Sequence, residues 1–342
     1  MAFRRNPDGR PRIVEVRPEA AIAGGELEIR GSGFGKERPP RVTLGEVEAH
    51  VVVGSDSFVV ARVPEAASVG ELVVRRDDQA SSAASCEIGV SVATNVHPVG
   101  NPVVSADGAI YTTLSGSRGQ KTPVSVYRIA PDYQLKPFLS DVMNATGLAM
   151  DREGLLYVSS RYDGVIYQVT PHGSMSVYAE GMGIATGLAF DQEENLYVGD
   201  RSGTIFKIGR ERQIYVFATL EPSISAYHLA FGPEDCLYVT GPTTSSFDSV
   251  YRVSPSGEVE LFYRGLGRPQ GLAFDLPGRL YVAASLGGRK GIVRLEPGRP
   301  PELFLSGPHI VGLAFTASRA LVVATNAGIY RVDVGIAGRH LA

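Results

Sequence analysis

Arg161 and Arg201 stand one repeat apart at equivalent points of two short polar loops. Guanidinium groups placed in that way can grip an anion through charge-assisted, bidentate hydrogen bonds. Arg118, Lys121, Arg289 and Lys290 fall in loops of the same kind, Arg268 lies in a spacer, and Asp163, Asp200 and Asp248 oppose them. His228 occupies a place that related segments give to glycine, and such a departure from a chain's own rule marks either a ligand contact or a packed core histidine. His97 and His309 sit in comparable spacers, but His228 belongs to a distant repeat, so a shared metal ion is not expected. No Gly-x-Ser-x-Gly elbow, HExxH or P-loop occurs. The alternating glycines of 31–35 precede no helix, which argues against a dinucleotide site.

The elements that must position these side chains announce themselves by repetition. Gly-Leu-Ala-Met-Asp at 147, Gly-Leu-Ala-Phe-Asp at 187 and 271, His-Leu-Ala-Phe at 228 and Gly-Leu-Ala-Phe at 312 recur at steps of 40, 41, 43 and 41 residues. A turn rich in Asp, Glu and Gly follows each phrase. Then come a Leu-Tyr-Val strand, a third strand such as Ile166 to Val169, and a short piece ending in an aromatic. Short β-branched and aromatic runs between turn residues read as strands, and four per forty residues make one propeller blade. A divergent unit around Asn101, Ile110 and Val126 precedes these five, so the spacing predicts six blades. The last lacks a fourth strand, and the 91–96 segment is expected to supply it and close the ring. Aspartates 151, 191 and 275 end the first strands and read as turn formers.

In such a ring the spacer ends and the loops between second and third strands converge at one mouth, a natural concave site. The expected mouth residues are Asn101, Thr146, Thr186, Tyr227, His228 and Gln270 from the spacers, with Arg161, Arg201 and Arg268.

Bulk properties suit a globular all-β protein. The chain has 342 residues, 44% hydrophobic and 20% charged, with 40 glycines and 22 prolines for turns. A formal net charge of −3 gives no global attraction to nucleic acid or anionic lipid. Cys86 and Cys236 show no metal-type spacing and read as unpaired thiols. Residues 1–8 lack the apolar stretch of a secretory signal, and no run matches a membrane span, so a cytoplasmic location is expected.

Residues 1–90 do not follow the repeat and read as short strands with Gly/Pro turns, hence a small sandwich. Their Pro-x-Ile-x-x-Val-x-Pro opening at 11–18, Gly24-Gly25 and Gly-Ser-Gly-Phe-Gly at 31–35 resemble an IPT/TIG domain, an immunoglobulin-like fold. The resemblance implies a spacer or protein-binding module. Residues 91–342, through the Gly-Leu-Ala-Phe-Asp and Leu-Tyr-Val phrases, resemble six-bladed propellers of the NHL-repeat and gluconolactonase-like (senescence marker protein) class. That class includes lactonases which hold a divalent cation such as calcium at the channel mouth with carboxylate and amide side chains. No carboxylate stands at the matching positions here, so no metal ligand is assigned and no other cofactor is evident.

The resulting expectation is a binding protein whose propeller mouth takes a small anionic or polyhydroxylated ligand, or a partner protein, with the sandwich as accessory module. A gluconolactonase-like hydrolase with an altered metal site, using Tyr227, His228 and Asn101, is the second reading. A protein-interaction scaffold is the third. Whether the chain is an enzyme stays open.

Overall fold

The computed structural model describes residues 10–68 and 70–339, and the reading of residues 1–8 lies outside them. The described residues are all-β apart from one short 3-10 turn at Pro233–Asp235. Five four-stranded antiparallel sheets form a propeller-like arrangement. The remaining repeat strands, Leu272–Phe274, Leu280–Leu286, Arg289–Leu295 and Glu302–Ser306, make the same meander inside a six-stranded sheet. Numbered in chain order, this is sheet five. The first strands touch in succession, and Ile310–Phe315 of sheet six meets Val103–Val104 of sheet one.

Burial explains the order of strands. The Leu-Tyr-Val strands, such as Leu156–Ser160, Leu196–Asp200 and Leu321–Thr325, are buried at every residue because a neighbouring sheet covers each face. The fourth strands, such as Leu135–Leu139 and Met175–Ala179, are largely exposed at the rim.

In three of the repeats an aspartate and a tyrosine lock the sheet. Asp151, Asp191 and Asp275 accept backbone N–H groups of their own turns and a hydroxyl from Tyr157, Tyr197 and Tyr281 respectively. Each tyrosine then meets two aromatic rings edge to face. Tyr197 packs on Phe217 of its own sheet and Phe231 of the next, both at 4.9 Å.

The glycine of the repeated phrase is a packing requirement. A Cβ on Gly147 would strike the Thr186 carbonyl, and one on Gly187 the Tyr227 carbonyl, both backbone of the adjoining sheet. Gly187→Ala is therefore expected to destabilise by about 1–3 kcal/mol, the usual cost of overpacking. A urea midpoint unchanged from the parent would contradict this close approach.

Among residues 10–89, eight strands form one continuous sheet around a core that includes Leu27, Ile29, Phe34, Val42, Val59, Leu72 and Val74. Two short segments from this region join the ring. Ala20–Ala21 runs parallel to Glu302–Ser306, and Glu87–Ile88 runs parallel to Ala20–Ala21, which extends sheet five to six strands. Ile22 N–H donates to the Ser306 carbonyl, Glu26 N–H to the Ser306 hydroxyl, and Arg289 pairs with Glu28 at 3.0 Å. Val90–Thr94 then lies antiparallel on Gly328–Val332 of sheet six. Both cysteines are buried free thiols, and burial pushes the Cys86 thiol up to about 12.

Candidate functional site: a basic mouth and a plugged axis

Strand register fixes which residues face the axis. Val103 pairs with Tyr111 as Ala149, Ala189, Ala230 and Ala273 pair with Tyr157, Tyr197, Tyr238 and Tyr281. Counting back two residues, Asn101 is equivalent to Gly147, Gly187, His228 and Gly271. The expected alignment of Asn101 with Thr146, Thr186, Tyr227 and Gln270 is thus corrected by one residue, and Gly100 takes that place. In the axial ring only Asn101 and His228 carry side chains where the other sheets have glycine.

Asn101 fills the space left by Gly271 and Gly312. Its amide donates to the Leu272 carbonyl at 2.8 Å, and its Oδ1 accepts from Leu313 N–H at 3.1 Å and would contact any Cβ on Gly271. His228 reaches toward Gly100, is 5% exposed, and its Nε2 has no hydrogen-bond partner. Burial alone holds its pKa down, from 6.5 to about 4. Only a gap of about 20 Å³ remains around these two side chains, room for roughly one water. Tyr227 points elsewhere. It is buried in the core between sheets three and four, and its hydroxyl donates to the Glu221 carbonyl. Asn101, Tyr227 and His228 therefore do not line the open mouth, contrary to expectation.

The mouth is a cavity of about 560 Å³ whose charged lining is Arg161, Arg201, Arg268 and Lys290, with His97 and His309 beside them. Thr146, Thr186 and Gln270 also line it. The threonine hydroxyls are engaged internally, Thr146 with the Asn144 carbonyl and Thr186 with the Gly199 carbonyl. Among the described residues, no carboxylate lines the cavity. The three aspartates expected to oppose the cations stand outside the lining and bond to nearby groups, with Asp248 Oδ2 buried without a partner. Asp163 accepts from Val165 N–H and the Tyr167 hydroxyl. Asp200 accepts from Ile184 N–H and the Ser202 hydroxyl, and Asp248 from Thr243.

The two arginines are held by backbone carbonyls. Arg161 donates to the Gly116 carbonyl at 2.7 Å, and Arg201 to those of Ser223 at 3.4 Å and Ile224 at 3.0 Å. Arg161 Nε is buried without a partner. Burial first, then the like charges of Arg201 and Arg118, lowers the Arg161 pKa. Among the described residues, neither arginine nor Arg268 nor Lys290 has an ion-pair partner. Sequence reasoning missed Ile224, Ser225 and Asn326 in the wall. The Asn326 carbonyl lies 2.7 Å from His97 Nδ1, a contact between a spacer and a loop far apart in the chain that no local pattern signals.

The cation site of lactonase-like propellers finds no fitting donors here. The one amide at the axis, Asn101, has its oxygen committed to Leu313 N–H. Among the described residues no three His, Cys, Asp or Glu side chains are grouped to hold a metal.

No protein-family model matches the chain, and no curated protein matches it. Many solved structures share its architecture. A putative gluconolactonase is 17% identical over 74% of this chain and 94% of its own, with a TM-score of 0.61. An auxiliary nutrient binding protein from Bacteroides ovatus is 13% identical over 99% of this chain and 100% of its own, with a TM-score of 0.55. A catalytically inactive histidine-to-alanine form of virginiamycin B lyase from Staphylococcus aureus, with quinupristin, is 13% identical over 94% of both chains, with a TM-score of 0.51. At these identities the likeness establishes an all-β propeller similar to gluconolactonase-like folds, and the fold alone.

Proposed function

We propose that the protein is a binding protein that captures a small anionic, polyhydroxylated ligand in the basic mouth. In this reading the ring has six blades, the fifth lengthened by strands from residues 1–90, and those residues form an IPT/TIG-like sandwich acting as an accessory module. The observation that carries the proposal is a cavity of about 560 Å³ lined by four cations and no carboxylate. Like charges brought together and partly desolvated raise the free energy of the unliganded protein, and an anion with several acceptors relieves that cost. Carbonyl anchors on Arg161 and Arg201 hold both guanidinium groups in place before the ligand arrives, which limits the entropy lost on binding.

Binding stands ahead of hydrolysis in this reading because Asn101, Tyr227 and His228, the groups an altered hydrolase would use, are engaged or sealed below the mouth. Neighbours of this fold include a nutrient-binding protein as well as enzymes, so the fold leaves the choice to the site.

Titration calorimetry with 6-phosphogluconate against glucose tests the reading. The phosphorylated sugar acid should bind and glucose should not. Arg161→Gln with Arg201→Gln should weaken binding by at least about tenfold, the scale of one lost hydrogen bond to a charged group. Millimolar ligand should raise the melting temperature of the parent and not of the double variant. Equal binding of glucose, or no heat from any sugar acid or phosphorylated metabolite, would remove the basis of the proposal.

A further inference from the structure

On the opposite face of the disc the axis opens into a second chamber, of about 800 Å³. Its inner wall comes from the repeated phrase of successive sheets, with Ala189, Ala230, Ala273 and Ala314 half-buried at the surface of the chamber and the leucine before each one buried behind it. The alanine after each leucine keeps the chamber wide. Asn101 and His228 close its inner end, since the gap beside them holds about 20 Å³. Nothing larger than water passes between this chamber and the basic mouth.

Among the described residues of the rim, one charge is uncommitted. Asp107 pairs with Arg128, Arg152 with Glu194, and Asp151 serves its own turn. Arg339 also lines the chamber, has no carboxylate partner among the described residues, and its Nε is buried without a hydrogen bond. The chain holds it there. Leu276 N–H donates to the Ala337 carbonyl at 2.8 Å, Gly338 bridges Asp275, and Arg339 N–H donates to the Phe274 carbonyl at 2.9 Å. An apolar well with a single free guanidinium at its lip is chemically unlike the mouth.

We infer that this chamber is a second, separate binding site for an amphipathic monocarboxylate with an unbranched apolar body, of the medium-chain fatty acid class. The tail occupies the apolar well, and Arg339 receives the carboxylate through a two-pronged, charge-assisted hydrogen bond. An anionic membrane surface fits less well, because Asp107 and Glu194 also line the chamber. The inference does not depend on the mouth reading, and the two sites fail or succeed independently.

Calorimetry on the full chain with hexanoate, octanoate, decanoate and decanol tests it. Decanoate should bind saturably at one site, with affinity rising up to about fourfold per methylene along the series. Decanol should bind at least about tenfold more weakly than decanoate. Arg339→Gln should bring decanoate down to the level of decanol. Ala314→Phe should weaken both, since Ala314 lines the chamber and belongs to no core cluster, so a larger side chain there fills the well. Arg161→Gln with Arg201→Gln should change neither. The inference falls if decanoate gives no saturable heat, if decanol equals it in the parent, or if only the mouth variants alter binding. It falls too if decanoate binds only after removal of residues 340–342, which would make the chamber a seat for the chain's own end.

Discussion

Tyr281→Ala is expected to cost about 3–5 kcal/mol of stability, the usual range for truncating a large buried aromatic. Tyr281 is 0% exposed. Its ring packs edge to face on Phe304 at 5.0 Å and on Phe315 at 5.2 Å, so one side chain joins its own sheet to the next. Its hydroxyl donates to Asp275 Oδ2, a carboxylate that is itself fully buried. Truncation therefore opens a cavity, loosens an inter-sheet seam and takes a partner from a buried charge. Tyr281→Phe keeps the packing, and Arg279 still serves the carboxylate, so its cost should be nearer 1 kcal/mol. Urea unfolding of both variants separates the contributions. Equal losses would place the stabilisation in the hydroxyl, and a loss under about 1 kcal/mol for alanine would show that the aromatic seam does not hold the sheets together.

The seam between sheets six and one lacks this device. Val322 stands where the other sheets have tyrosine. The first and last repeats meet there, and the antiparallel pairing of Val90–Thr94 on Gly328–Val332 completes sheet six in its place. The pairing covers an edge that would otherwise expose unpaired backbone groups.

Much of this was legible in the sequence because each blade solves the same packing problem. Glycine at 147, 187, 271 and 312 is demanded by a carbonyl or backbone of the adjoining sheet, so the phrase survives in every copy that keeps the contact. The first unit hid its register because it reads Gly100-Asn101-Pro102, without the Leu-Ala that marks the others, and only its pairing of Val103 with Tyr111 sets the count. The basic character of the mouth was visible in Arg161 and Arg201. The fate of Asp200 was not, because its capture by Ile184 N–H depends on a spacer folding back over the loop. Ala20–Ala21 is too short to carry any period, so its place on sheet five arises from tertiary contact alone.

Acidification from pH 7 toward pH 4 should destabilise the protein by about 3 kcal/mol through His228 alone, at about 1.4 kcal/mol per unit of pKa difference. Folded, the imidazole holds its pKa at about 4, because burial in the axial plug penalises the charged form. Unfolded, it titrates near 6.5. Between these values the unfolded chain binds a proton that the folded chain refuses, so stability is complete above pH 6.5 and falls as the pH drops toward 4. The gap beside His228 is lined by Asn101, Tyr227, backbone and aliphatic groups, and by no carboxylate that could welcome the imidazolium. His228→Gln preserves a polar plug that cannot titrate in this range. Subtracting its stability curve from that of the parent cancels the carboxylates common to both and should leave a slope confined to pH 4–6.5. Parallel curves would mean that the imidazole reaches solvent or finds a partner, and the wall between the basic mouth and the apolar chamber would then be open to more than a single water.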